Sequence, residues 1–572
     1  MTRSRCALVL ALAAVGGSLI PASGASAAPP AIATAPGRVV FPLDNGRIDD
    51  NDNAGGAQDP AVALPDGDIV VSAGGSGKQA YLTELQPDGA IDTSFGIGGI
   101  AQVAVGLAPF DVTQIVGQPD GKLVLAGSVT RAGDTENPVL VLVRLNADGS
   151  LDQSFGTGGV DLPPIGFSCA SCLALRPGGG FFVTGTLGEE SVPINVSVSA
   201  EITGWAVAGL TSTGALDPGF GQSGIATVAE NGASGTQVAA LPDGDAVSLG
   251  SVYAGGSHYS YELVRLLPSG APDPAFHGGT PEYLPAAPQL DGMMVDADGS
   301  VIVAVTHAII RYTAAGLPDP SFGTGGVVQT GPADELDQSA QLFPSAGDGA
   351  LVILENDSDY GRDLVERIGA TGAIDTTLGG PSGLDLETPF GGGSSSFVVS
   401  QRPRALPPLT QNTFTGSVVQ RPDGSYVFLG DVAVSQPTGE GEGRSIDDFA
   451  AVALTPSFAL DPAFGGPAAP FDATLAVIRQ RASTARTLHG VRVTLDVSAP
   501  GLARVVIKSA GRVIAQSVLP VFVAGPVTLP VELTTFGDQW LKTRPRSRLT
   551  VTLRARDLLT HVAKATAAGR LH

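Results

Sequence analysis

Two short signatures recur seven times along this chain, and they restrict its fold before any composition is considered. The first is a turn centred on Asp-Gly, at Asp66-Gly67, Asp120-Gly121, Gly178-Gly179, Asp243-Gly244, Asp298-Gly299, Asp348-Gly349 and Asp423-Gly424. The second follows each turn and reads Leu/Ile/Pro-Asp-x-x-Phe-Gly, with its Asp at Asp92, Asp152, Asp217, Asp273, Asp319, Asp375 and Asp461. A long internal period marks a modular array, in which each unit buries its apolar face against its neighbours.

The second unit is the cleanest. Its β-rich runs are Ile100–Val105, Val112–Val116, Leu123–Gly127 and Val139–Leu145, separated by Gly, Pro and Asp clusters. Pro presets a turn backbone, Asp bonds its own main chain and Gly supplies positive φ, so Pro119-Asp120-Gly121 predicts a tight hairpin. Four short strands in each of seven units predict an all-β fold, a seven-bladed β-propeller of four-stranded blades. The blades are expected at 37–96, 97–156, 157–221, 222–277, 278–323, 324–379 and 380–466. On this division the Asp-Gly turn joins the second and third strands. The Asp-x-x-Phe-Gly signature then links the fourth strand to the next blade. One aromatic per repeat (Phe95, Phe155, Phe220, Phe276, Phe322 and Phe464, with Leu378 in the sixth unit) fits a wedge between blades. The Asp three residues earlier fits a turn role.

The runs Gln118-Pro119-Asp120-Gly121-Lys122-Leu123-Val124-Leu125-Ala126-Gly127 and Val143-Arg144-Leu145-Asn146-Ala147-Asp148-Gly149-Ser150-Leu151-Asp152-Gln153-Ser154-Phe155-Gly156 resemble the delta-60 repeat family of bacterial, often exported, β-propellers. The resemblance covers roughly residues 37–466. It weakens in the third unit, where Pro177-Gly178-Gly179 lacks the Asp, and in the sixth. It implies a propeller and no established activity, so no functional residue is carried over. An NHL-type propeller is a second, similar family.

Antiparallel blades send alternate connections to opposite faces. The near-uniform signatures share one face. The variable connections, Asp44–Asp59, Thr130–Pro138, Gly188–Glu201, Tyr253–Tyr261, Glu355–Arg362, Arg402–Phe414 and Gln436–Asp447, share the other, assigned as the a–b/c–d face. Insertions in repeat proteins gather on the working face, so ligand recognition is expected there.

Residues 1–27 read as a secretory signal peptide, with Arg3 and Arg5 before an apolar run (Cys6–Ile20) and Ala25-Ser26-Ala27 as the cleavage site. Residues 28–36 read as a linker. No later run reaches the length of a membrane helix. The chain is expected outside the cell, with any attachment to the surface non-covalent. Charge divides it again. Residues 37–470 carry a net −35 and residues 471–572 a net +10. Alternation at Val491–Val497, Ala503–Lys508 and Arg548–Arg554 predicts half-buried strands, so 471–572 is expected to form a small Ig-like β-sandwich. Its exposed positions are basic, notably Lys542, Arg544, Arg546, Arg548, Arg554 and Arg556. These suit either a solvated face, a dock for the acidic propeller, or a dock for an anionic wall polymer or envelope polysaccharide. Nucleic acid is not expected of an exported chain with so few aromatics here.

No catalytic signature is present: no nucleophile elbow, P-loop or dinucleotide motif, and six scattered His residues without metal spacing. Asp49, Asn51 and Asn53 alternate as at the start of a calcium loop, but Ala54 and Pro60 depart from the EF-hand pattern, so a solvated acidic loop stands beside calcium. No other cofactor is indicated. Cys169 and Cys172 suit a local disulfide in an exported chain, provided a turn lies between them. The reading is a non-enzymatic binding or scaffold protein of the envelope or extracellular space. The alternative is a propeller hydrolase or lyase with its site at the channel mouth.

Overall fold

The computed structural model describes most of residues 33–571. Residues 1–32, 42–59, 164–172, 189–201, 331–337, 377–383, 386–411 and 437–443, with shorter loop pieces, lie outside the described residues. The signal peptide, the Asp49–Asn53 loop and the Cys169–Cys172 pair therefore fall outside them.

The chain forms a β-propeller followed by a two-sheet sandwich. Among the described residues, seven antiparallel sheets follow one another through the propeller. The second is typical: Phe110–Gly117, Leu123–Arg131, Asp134–Leu145 and Val160–Asp161 pair in that order. The innermost strands of successive sheets touch one another in turn, and that of the seventh sheet, Val418–Gln420, touches that of the first, Ala61–Ala63, so the ring closes. Closure is also covalently crossed. Arg38–Phe41 is the outer strand of the seventh sheet, paired with Arg444–Leu454, so N-terminal and C-terminal segments share one sheet.

This closure corrects the sequence division by one strand. Ile100–Ala104 was expected to open the second blade, yet it is the outer strand of the first sheet, paired with Gln79–Leu85. With strands lettered a to d from the axis outward, the Asp-Gly turn joins a to b and the Asp-x-x-Phe-Gly signature lies between c and d. A sequence period is indifferent to where each unit starts; the N-terminal strand at Arg38–Phe41 sets it. The offset exchanges the labels of the connections without mixing them. The turn and signature still share one face. The variable connections all run from b to c or from d to the next a, so the expected recognition face is the b–c/d–a face rather than a–b/c–d.

Apolar cores lie between neighbouring sheets. Val39, Ile69, Val427 and Phe464 pack between the seventh and first; Leu82, Phe95, Leu125 and Val143 pack between the first and second. The repeated Phe is the wedge. Phe95, Phe155, Phe220, Phe276, Phe322 and Phe464 are each at most 1% exposed. Each tip meets the c–d turn of the next sheet: a Cβ on Gly149 (φ 76°) would stand 3.1 Å from the Phe95 ring. Glycine there serves both the positive φ and the close approach.

The sandwich pairs Ala473–Val477, Gly490–Val497 and Gly525–Glu532 in one sheet, and Arg512–Val521, Gly501–Ser509, Arg548–Asp557 and Val562–Arg570 in the other. Strict alternation along Gly490–Val497 sends Val491, Val493, Leu495 and Val497 inward against Ala503, Val505, Ile507, Val551 and Leu553. Helices Ala482–Thr487 and Thr535–Thr543 cover the core with Ala485 and Leu541. No helix among the described residues is long and apolar enough to cross a membrane.

Candidate functional site

The turn face is held by an arginine in six sheets. On strand c, one residue accepts the N–H of the signature Asp: Glu84, Arg144, Gly209, Arg265, Arg311, Arg367 and Ala453 in sheets one to seven. Where it is arginine, it pairs with that Asp or its neighbours, as in Arg144–Asp152 at 2.8 Å and Arg265–Asp245 at 2.7 Å. Where Gly209 or Ala453 stands there, the guanidinium comes instead from the a–b turn: Arg176 holds Asp217 and Arg421 holds Asp461, each at 2.8 Å. Several of these arginines also donate to the next sheet, Arg311 to Ala370 O and Arg421 to Pro87 O, both at 2.8 Å. They staple the ring.

The signature carboxylates are consequently occupied. Asp152 Oδ1 accepts from Ser154 N at 3.0 Å, and Oδ2 accepts from Lys122 and Arg144, each at 2.8 Å. Burial opposes ionisation of Asp152, but the bonds from Lys122 and Ser154 and the Arg144 charge outweigh it and hold the carboxyl well below its ordinary range. Asp217 is likewise lowered, first by its bond from Arg176. These are structural anions, as the turn reading expected.

On the same face, Ala63, Leu64, Pro65, Gly117, Gln420, Arg421, Pro422 and Gly424 line a depression of about 550 Å³ spanning the seventh, first and second sheets. The opposite face is built from the variable connections, most of which lie outside the described residues.

The sandwich carries the densest free charge. The six cations named from sequence do not form one cluster. Lys542 pairs with Asp538 at 3.0 Å one helical turn away, and Arg544 stacks over Trp540 at 3.9 Å from its centroid. Arg546 is exposed in the following connection, while Arg548 and Arg554 are exposed on the next strand, which also includes Arg556. Strand register then adds residues that a linear reading left out. Arg504 stands opposite Arg554, and Arg554 opposite Lys564, so three cations line up across three strands. Arg548 stands opposite Arg570 in the same sheet. Lys508, Arg548, Arg554, Lys564 and Arg570 are exposed and Arg504 is half-buried. The outward positions of Gly501–Ser509, Arg548–Asp557 and Val562–Arg570 include no Asp or Glu. Neighbouring strands lie ~4.8 Å apart, so like charges in register repel.

Among the described residues no group of three or more His, Cys, Asp or Glu is arranged to hold a metal ion.

Residues 118–155 match a family model described as "Domain of unknown function (DUF5122) beta-propeller", which supports the resemblance carried by the second repeat. No curated protein matches the chain. Among solved structures, the chain is similar to a glucose dehydrogenase, at 19% identity over 55% of this chain and 97% of that one, with a TM-score of 0.31. It is similar to the soluble aldose sugar dehydrogenase of Escherichia coli in its apo-form, at 14% identity over 58% and 99% of the two chains, with a TM-score of 0.32. It is similar to XC5397 of Xanthomonas campestris, a gluconolactonase, at 10% identity over 74% and 95%, with a TM-score of 0.28. No activity follows for this chain from likenesses at that level.

Proposed function

We propose that this chain is a non-enzymatic binding protein acting outside the cell, in which the sandwich grips a polyanion and the propeller holds its variable loops toward a second ligand. The row Arg504–Arg554–Lys564 supports the reading best. Three like charges in register on one sheet face weaken the sheet that carries them. A polymer with repeating carboxylates or phosphates relieves that repulsion and releases counterions as it binds. An extracellular acidic polysaccharide or phosphate-bearing wall polymer has the required chemistry. The test is retention of the full mature chain on beads carrying a polyuronate or polyphosphate. Retention at low salt, elution at high salt, and loss on Arg554→Glu would support the reading. Failure to bind either polymer at low salt would overturn it.

A further inference from the structure

The first sheet is the one in which the arginine staple is replaced by acid. Glu84 accepts the Asp92 N–H at 2.8 Å, as Arg144 and Arg311 accept those of Asp152 and Asp319 at 2.9 Å. The a–b turn offers no substitute. Leu64 bonds Asp68 O as Arg176 bonds Gly180 O and Arg421 bonds Ser425 O, so Leu64 stands where the other two sheets place their arginine. Glu84 is 6% exposed and hydrogen-bonds the Asp68 carboxylate.

The surroundings offer little positive charge. Asp66 and Asp68 lie on the a–b turn and the start of strand b, Asp88 on the c–d turn and Asp92 in the signature. The second sheet presents Asp148, whose carbonyl accepts Gly96 N–H at 2.7 Å across the joint. The seventh sheet presents Arg421, but its guanidinium is held by Asp461 and Pro87 O, both at 2.8 Å.

We propose that the joint between the first and second sheets is a proton-operated latch, closed while Glu84 is protonated and donates to Asp68, and loosened when Glu84 ionises and two carboxylates face each other. Burial, then the charges of Asp68 and Asp92, push Glu84 up to about 7, and burial and Asp66 raise Asp68 as well. The folded chain thus holds a proton that the unfolded chain releases at lower pH. The stability it contributes is intact below the ordinary value of 4.5 and is lost as pH rises through about 7. Leu64 of the first sheet and Gly117 of the second both line the 550 Å³ depression, so the latch would reshape that surface.

Amide hydrogen exchange on the full chain at pH 5.5 and 8.5, corrected for intrinsic rates, tests the latch. Gly96 bonds across this joint, while Gly323 bonds to Thr371 O at 2.9 Å across an arginine-stapled one. Gly96 is expected to lose roughly tenfold or more protection at the higher pH relative to Gly323. Equal changes at the two glycines would overturn the latch without recourse to any variant. Glu84→Gln keeps a donor for Asp68 but does not titrate, and is expected to abolish the difference. A difference that persists in Glu84→Gln would also overturn it.

Discussion

Arg421 lies 2.8 Å from Asp461 and does from the a–b turn what Arg144 does for Asp152 from strand c. The guanidinium is required at one point in space, and two positions in the repeat can deliver it. Both arginines pair with the signature Asp and stack near its Phe, at 5.7 Å from Phe464 and 4.7 Å from Phe155.

Arg421→Ala should destabilise the propeller by about 3 kcal/mol, since it leaves a largely buried carboxylate without its partner. Chemical denaturation followed by intrinsic fluorescence measures the loss. Adding Ala453→Arg, which restores the arrangement of the second sheet, should recover part of it. A double variant no more stable than the single one would refute the equivalence of the two positions.

Phe155→Ala should lower stability by about 3–5 kcal/mol, because a fully buried wedge leaves a cavity between two sheets that cannot collapse independently. The same substitution at exposed Phe536 should change stability far less. Comparable losses at the two sites would contradict the wedge.

Acid should dismantle the staples. Asp152, Asp217 and Asp319 have folded-state affinities for protons below the ordinary value of 3.8. The unfolded chain therefore binds protons first, and stability should be full above about pH 5 and fall progressively as pH drops below it. Melting temperatures from pH 6 to 2 test this, and a flat profile would contradict it.

Removing charge from the basic row should stabilise the unliganded sandwich. Arg554→Thr relieves repulsion from both Arg504 and Lys564 and should raise stability by about 0.5 kcal/mol at low salt, an effect that fades as salt rises.

The turns and wedges were legible because each needs a particular residue type at a fixed spacing: Asp66-Gly67 for its backbone, Phe95 for its bulk. The strand that opens each sheet was not, because closure by Arg38–Phe41 is a contact between chain ends and leaves no trace in the period. The staple escaped notice because Arg176 and Arg144 occupy different places in the repeat. The basic face was legible one strand at a time. Arg548 and Arg554 follow from alternation along their own strand, whereas Lys564 and Arg570 join them only through cross-strand register.

The measurement that tests polyanion recognition most directly is the salt dependence of polyphosphate affinity for the full chain and for Arg554→Thr. If the row grips the polymer, the logarithm of affinity should fall linearly with the logarithm of salt concentration, and losing one contacting cation should reduce that slope by about one. An unchanged slope and affinity in Arg554→Thr would contradict the account.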